Sequence, residues 1–230
     1  MFEKETLVNR TNSSFLSKVY GWMTVGLALT ASVAYYISSQ PKIVAAIFNN
    51  FAVILVLFFV QIALVAALSF YISKMSFSLA ALTFIGYSIL SGVTLSSIFL
   101  VYTQSSIAVT FFVAAGMFAA MALYGYLTKS DLSSMGSFLF MAVIGLAIAL
   151  LINMFLKSEM FDYIISGIGV IIFSLLTAYD MQQIKLIGSQ MSLAGEDQSK
   201  ISIICALKLY LDFINLFLYL LRFMGKKNND

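Results

Sequence analysis

The chain is 230 residues long, and 61% of its residues are hydrophobic while only 10% are charged, giving a formal net charge of +3. In soluble domains about a quarter of the residues are charged. This composition therefore excludes a water-soluble monomer and indicates a protein whose solvent is lipid. The small net charge provides no basic stripe, which argues against nucleic-acid binding. The sequence has no histidine and one cysteine, Cys205, so an internal disulfide is excluded and a zinc or copper cofactor is disfavoured.

The chain begins with a polar segment, residues 1–17, which lacks the basic, apolar and small-residue order of a cleavable signal. We expect this segment to be a retained cytoplasmic tail. Downstream, seven stretches are long enough to cross the hydrocarbon layer, which takes about 20 apolar residues. They are residues 19–38, 51–72, 77–102, 105–127, 134–156, 161–187 and 201–224. The sequence therefore predicts an all-α integral membrane protein, with a single seven-helix membrane domain at 18–225 and a short tail at 226–230.

The distribution of basic residues predicts the orientation, because lysine and arginine are enriched on the cytoplasmic side of membrane proteins. With a cytoplasmic N-terminus, the opposite side receives only Lys42 and Lys157 before the last span. The cytoplasmic side then receives seven basic residues: Lys4, Arg10, Lys18, Lys74, Lys129, Lys185 and Lys200. The C-terminus does not follow from this count. Seven complete crossings put the basic end of the chain outside, whereas a last helix that folds back keeps it inside.

Two of the ten acidic residues, Asp180 and Asp212, lie inside hydrophobic stretches. A charge at the middle of a span costs about 2.5–3.5 kcal/mol on insertion scales, so such residues usually have a function. Asp180 is about 10 Å from the cytoplasmic end of the sixth stretch, and Asp212 is about 16 Å from the same side in the seventh. We therefore expect the two carboxylates to face each other across adjacent antiparallel helices.

Each aspartate has polar neighbours on its own helix face. Thr177 and Gln183 accompany Asp180, whereas Lys208 and Asn215 accompany Asp212 at helical spacing. A polar stripe within a hydrophobic helix must face protein or water rather than lipid. The sequence thus predicts that the last helix is enclosed by the other six.

The aspartates admit a structural and a functional interpretation. In the structural one, Lys208 neutralises Asp212 one turn away, and the charges serve packing alone. In the functional one, a single nearby lysine cannot neutralise two carboxylates, so they share a proton, or Lys74 supplies a second cation. Two ionised carboxylates at 4 Å repel by about 4 kcal/mol at an effective dielectric near 20. Such a pair can sense protons, and calcium, which prefers carboxylate and carbonyl oxygens, offers the same neutralisation.

At these residues the chain resembles a known family. The segments AYDMQQI around Asp180 and LYLDFINLFLYLLRFMG around Asp212 are similar to the signature segments of the Bax inhibitor-1 (transmembrane Bax inhibitor motif) family. Three further segments, SFLSKVYGWMTVGLALTA, LSGVTLSSIFLVYT and DLSSMGSFLF, resemble its bacterial branch. The bacterial character of these segments indicates the cytoplasmic (inner) membrane.

The resemblance implies a seven-helix bundle around an enclosed last helix and a pH-sensitive calcium leak. It implies that Asp180 and Asp212 match the family's di-aspartyl pair, which senses pH and gates the leak. In some members a basic residue near the end of the second span is proposed to engage this pair when the pore is shut. Lys74 lies at about that position in this sequence, where the family resemblance leads us to expect an arginine.

Three functions compete. The first is a calcium leak channel whose partners are the lipid bilayer, calcium ions and protons, with no cofactor. The second is a membrane-embedded regulator that binds another membrane protein, such as a protease. The third is an intramembrane aspartyl hydrolase, but such enzymes usually carry a GxGD-like order at the second aspartate, whereas Asp212 lies in YLDF. We therefore expect a channel and not an enzyme.

Overall fold

A computed structural model describes the backbone of residues 2–194 and 198–228 and the side chains of residues 13–190 and 198–228. Over those ranges the fold is built from helices and contains no strand. The helices are α1 (Phe2–Ser38), α2 (Pro41–Phe48), α3 (Phe51–Tyr71), α4 (Phe77–Leu95), α5 (Ile98–Val101), α6 (Gln104–Leu127), α7 (Met135–Leu156), α8 (Glu159–Ala194) and α9 (Gln198–Met224). A 3₁₀ turn at Ile72–Lys74 follows α3. Glu196 and Asp197 fall outside the described residues.

Six helical segments among the described residues are long and apolar enough to cross a membrane. They are Phe51–Lys74, Phe77–Val101, Gln104–Leu127, Met135–Leu156, Glu159–Gln190 and Gln198–Met224. The predicted first stretch, 19–38, forms the second half of α1 but is not one of the six. Tyrosine, serine and threonine side chains interrupt that stretch and lower its hydrophobicity. The seven-span count is therefore not confirmed.

Polar side chains fix where several of these helices begin. The side chains of Asn50, Ser76 and Thr103 accept hydrogen bonds from backbone N–H groups in the first turns of α3, α4 and α6. Such caps satisfy N–H groups that have no partner within the helix. In α2, the only proline of the chain, Pro41, occupies the first position, where its missing N–H costs nothing.

The chain divides into two compact units. Unit 1 comprises residues 1–101 and 188–210, and unit 2 comprises residues 102–187 and 211–230. In unit 1, α1 runs parallel to α4. The ring of Trp22 lies 6.1 Å from that of Phe77 at the start of α4, and Tyr35 lies 6.2 Å from Phe99 beyond its end.

Unit 2 contains α6, α7, most of α8 and the second half of α9. Two glycines bring α6 and α7 close to α8. A Cβ atom on Gly125 of α6 would collide with the backbone of Ala178, and one on Gly136 of α7 would lie 2.5 Å from the Tyr179 hydroxyl. The stretch of α8 that precedes Asp180 is therefore held against two neighbouring helices.

The structure describes how the last helix ends in unit 2. α9 is one continuous helix and does not fold back. Beyond it, the Lys226 N–H donates to Ser106 Oγ at 2.8 Å, and the Thr103 N–H donates to the Lys226 carbonyl at 3.1 Å. Arg222 lies 3.8 Å from Asp162 in the first turn of α8. The C-terminal segment thus lies at the end of unit 2 where α6 and α8 begin.

Candidate functional site

Both intramembrane aspartates lie in unit 2, on α8 and α9. Asp180 is half-buried, whereas Asp212 is only 5% exposed. Both residues have interaction partners in the structure. The Oδ2 atom of Asp212 is itself fully buried and accepts no hydrogen bond from the described residues. Burial of this kind disfavours a charged carboxylate unless protons or cations compensate it.

Two aromatic stacks pack α8, which carries Asp180, against α9, which carries Asp212. The rings of Phe173 and Tyr219 are stacked, with centroids 5.5 Å apart. The same antiparallel contact continues toward the chain end, where Tyr163 stacks on Phe223 at 4.4 Å. Asp180 follows Phe173 by seven residues, and Asp212 precedes Tyr219 by seven. Seven residues make about two turns and about 10.5 Å, so a count from the stack of Phe173 and Tyr219 brings the aspartates to one level, whereas a count from Tyr163 and Phe223 separates their levels by six residues, about 9 Å. That the two carboxylates face each other stays a prediction.

The predicted supporting side chains have other hydrogen-bond partners in this conformation. Thr177 is fully buried, and its hydroxyl donates to the Phe173 carbonyl at 2.8 Å. The Asn215 amide donates to the Leu211 carbonyl one turn back at 2.8 Å. Each of these bonds stays within its own helix. These two side chains are therefore satisfied by their own helix backbone, and their role in supporting the aspartates stays a prediction.

The two candidate cations lie in unit 1. Lys74 is exposed at the 3₁₀ turn after α3, with its ammonium 5.8 Å above the ring of Tyr71. Lys208 is exposed on α9, although Asp212 one turn later is buried. The predicted polar stripe of α9 thus changes from exposed at Lys208 to buried at Asp212 within a single turn. Whether either lysine pairs with an aspartate stays a prediction.

Gln182, two residues after Asp180, makes two hydrogen bonds that were not predicted from the sequence. It is buried, its Oε1 accepts from the Leu132 N–H at 2.9 Å, and its Nε2 donates to the Ser130 carbonyl at 2.8 Å. Gln183, which was predicted to support Asp180, donates instead to Ser133 Oγ at 3.2 Å. Both amides therefore bind the connection between α6 and α7. The two adjacent glutamines are visible in the sequence, but only Gln183 lies at helical spacing from Asp180, so only Gln183 was predicted.

Lys185 adds a second unpredicted anchor on α8. Its ammonium donates to the Tyr126 carbonyl at 2.7 Å and lies 4.7 Å above the ring of the same residue. Tyr126 is in the last turn of α6, where a cation is stabilised by the helix dipole. The segment that carries Asp180 is thus fastened to the end of α6 and to the connection that follows.

The loop after α6 also contains an acid with a shifted pKa. The backbone N–H and the side chain of Ser133 donate to the Asp131 carboxylate, and these bonds hold its pKa below the usual value. Asp131 is fully exposed. Among the described residues, no group of three or more acidic or cysteine side chains could hold a metal ion.

The sequence matches known proteins along almost its full length. The family profile described as "Inhibitor of apoptosis-promoting Bax1" matches residues 12–229. The Escherichia coli K12 "Inner membrane protein YbhL" is 51% identical over 215 residues, which cover 93% of this chain and 92% of the relative. An uncharacterized Borreliella burgdorferi protein is 46% identical over 218 residues, covering 95% and 94%. The Rickettsia prowazekii protein RP147 is 43% identical, covering 94% and 90%.

Proposed function

The chain belongs to the Bax inhibitor-1 family of helical membrane proteins, and from that premise we propose that it is a pH-sensitive calcium leak channel. Asp180 and Asp212 form its proton sensor and gate. The channel needs no cofactor and catalyses no reaction. Calcium is the ion carried, and protons are the effector.

The stacking of Phe173 on Tyr219 carries this proposal. In the helix pair that this contact joins, Asp180 is half-buried and Asp212 is buried, and we propose that their carboxylates face each other. Like charges in such a position repel by several kcal/mol, so the pair holds one proton or engages a cation. Changing its protonation state therefore supplies enough free energy to shift a two-state packing of α8 against α9.

The direction of the pH response depends on what holds the ionised pair. If a shared proton clamps α8 to α9, deprotonation opens the pathway. If Lys74 or Lys208 holds the ionised pair shut, acidification releases the cation and opens it. Both mechanisms require that at least one aspartate titrates near working pH.

The proposal places the protein in the inner membrane with a cytoplasmic N-terminus, seven spans and an enclosed last helix. The name of the E. coli relative supports that membrane. α1 contacts Phe77 at the start of α4 through Trp22 and Phe99 beyond the end of α4 through Tyr35. These parallel contacts along an apolar helix support residues 19–38 as a seventh span. In α9, 61% of the residues in the most apolar window are buried, against 6–39% in the other five spans. That difference supports an interior position for α9.

The test uses purified protein in liposomes that contain a calcium-sensitive dye. We expect wild-type protein to leak calcium with a strong pH dependence, and Asp180→Asn and Asp212→Asn to flatten that dependence because an amide does not titrate. Asp131→Asn, which removes an exposed acid outside the spans, is the matched control and should keep the wild-type profile. An unchanged pH profile in both site variants would refute the sensor role.

The second candidate is a membrane-embedded regulator of another membrane protein, and α3 favours it. Only 6% of the residues in the apolar window of α3 are buried, so most of its surface is available for contact with lipid or another helix. A pure regulator should not leak calcium at any pH when reconstituted alone. The liposome assay therefore distinguishes the two functions.

A further inference from the structure

An apolar cleft runs between α7 and α8 in unit 2, and none of the proposed functions uses it. Its volume is about 460 Å³, and it is lined by hydrophobic side chains and one glycine. Its floor is formed by buried side chains of both helices: Leu139, Leu146, Ile165 and Ile172. Its rim is formed by exposed side chains, among them Phe138, Ile164, Ile168 and Ile171. The cleft is therefore open along one side of the helix pair.

Three small residues of α7 create the space of the cleft. Ala142, Gly145 and Ala149 all line it, and their spacing of three and four residues places them on one face of the helix. A Cβ atom on Gly145 would meet no other atom within 4 Å. The cleft thus follows from the sequence of α7, since larger side chains at these positions would fill it.

The dimensions of the cleft fit one hydrocarbon chain. Its lining extends from Phe138 to Ala149 on α7 and from Phe161 to Leu175 on α8, which corresponds to about 17 and about 21 Å of helix. A volume of about 460 Å³ spread over that length gives a channel about 5–6 Å across. A helix with its side chains is about 10–12 Å wide and does not fit. An unbranched chain needs little more than the carbon–carbon contact distance of about 4 Å, so it does.

The surroundings of the cleft supply such chains. Both helices that form it are long and apolar enough to cross the membrane. Only 11% of the residues in the most apolar window of α7 are buried, so most of that helix is available to lipid. An unfilled channel would deprive its lining of dispersion contacts. Acyl chains of the bilayer are therefore the hydrocarbon at hand to fill it.

The charges at one end of the cleft fit a phospholipid headgroup. Ala149 and Phe161 line the cleft on either side of the short α7–α8 connection. In that connection Lys157 follows the last residue of α7 and is exposed, and a lysine ammonium binds phosphate as a point charge. Glu159 begins α8 and is also exposed. The connection thus presents one charge of each sign, which matches a headgroup that contains a phosphate and an ammonium.

We propose that this cleft binds one acyl chain of a membrane phospholipid whose headgroup contains a phosphate and an ammonium, as in phosphatidylethanolamine. The chain lies along Gly145 and its small neighbours, between α7 and α8. The phosphate lies at Lys157 and the ammonium at Glu159. The bound lipid thereby becomes part of the packing of α8, the helix that carries Asp180.

Native mass spectrometry tests the proposal on the intact protein, released from detergent micelles that contain phosphatidylethanolamine. We expect wild-type protein to retain one lipid molecule. Gly145→Leu puts a branched side chain into the cleft and should weaken lipid binding by about tenfold or more. Gly116→Leu is the matched control, because that glycine of α6 is also exposed and a Cβ there also meets no atom within 4 Å. It does not line the cleft, so this variant should retain the lipid as the wild type does.

A second comparison tests the position of the headgroup. Lys157→Gln removes the charge that holds the phosphate and should weaken binding of phosphatidylethanolamine, and an unchanged affinity would overturn the placement of the headgroup. The occupancy of the cleft itself is overturned if the wild type retains no lipid, or if the two glycine variants retain it equally. Loss of a protein dimer, rather than of a lipid, in Gly145→Leu would identify a second copy of the chain as the occupant and would also overturn the proposal.

Discussion

Tyr219 of α9 lies stacked on Phe173 of α8, with ring centroids 5.5 Å apart and an angle of 23° between the planes. Gly169 makes room for the tyrosine, because a Cβ at that position would collide with its ring. The contact packs α8 against α9 in the unit that contains Asp180 and Asp212. The stack thus connects the packing of unit 2 to its proposed gate.

Replacing Tyr219 with leucine should loosen this packing. A stacked aromatic pair contributes about 0.5–1.5 kcal/mol beyond the area it buries, so we expect Tyr219→Leu to lower the free energy of unfolding by about 1 kcal/mol. We also expect it to shift the midpoint of the pH response of calcium flux. Tyr219→Phe is the matched control because it keeps the ring. The measurements are reversible unfolding in mixed detergent micelles and dye-loaded liposomes. A Tyr219→Leu variant with wild-type stability would show that the stack does not stabilise the packing.

Gln182 should contribute more to stability than Gln183. In the Gln182→Leu variant, the Leu132 N–H and the Ser130 carbonyl lose their partner in a buried setting, which costs about 1–3 kcal/mol for each group left unsatisfied. Gln183→Leu breaks only the hydrogen bond to the Ser133 hydroxyl, which is exposed and can bind water instead. The unfolding free energies of the two variants provide the comparison. Equal effects would contradict the assignment of Gln182 as the main anchor of the α6–α7 connection.

Much of the helical framework could be predicted from the sequence, because apolar runs of span length leave few alternatives in lipid. The predicted stretch 105–127 corresponds to α6 at Gln104–Leu127, and 134–156 corresponds to α7 at Met135–Leu156. The stretch 77–102 was predicted as one helix, but α4 ends at Leu95. The hydroxyls of Ser96 and Ser97 bond to nearby backbone carbonyls there and compete with the helix.

The site could be predicted only in part. A charge inside an apolar run is visible in the sequence, so Asp180 and Asp212 could be selected as candidates, and their role stays a prediction. The role of Gln182 was not visible, since it depends on where the α6–α7 connection folds back against α8. A hydrogen bond joins Thr30 to Tyr210, which are 180 positions apart. Helical spacing within one segment carries no information about such a contact.

Asp131 should make stability depend on pH in a defined direction. Its hydrogen bonds to Ser133 lower its pKa in the folded state, so the folded protein binds the proton more weakly than the unfolded chain does. The stabilisation is therefore fully present above the ordinary pKa of about 3.9 and is lost as the pH falls through the lower folded value. Asp131→Asn should remove this dependence. The measurement is the difference in unfolding free energy between wild type and variant across the acidic range, and a constant difference would refute it.

The position of the C-terminal segment predicts the side of the membrane on which it lies. Lys226 bonds to Ser106 and Thr103 at the start of α6, whereas Lys129 follows the end of that helix. α6 has 24 residues, a length of about 36 Å, which is enough to separate the two lysines by a whole bilayer. We therefore predict that the basic C-terminal residues lie on the side of the membrane opposite Lys129, against the usual distribution of positive charge.

Single cysteines test this topology. In a Cys205→Ala background, which removes the only native thiol, Lys129→Cys and Lys227→Cys each introduce one reactive group at an exposed position. A membrane-impermeant maleimide added to right-side-out vesicles should label Lys227→Cys and spare Lys129→Cys, if Lys129 is cytoplasmic as predicted. Inverted vesicles should give the opposite pattern. Labelling of both variants from the same side would mean that α9 does not cross the membrane and that its straight course in unit 2 does not persist in the bilayer.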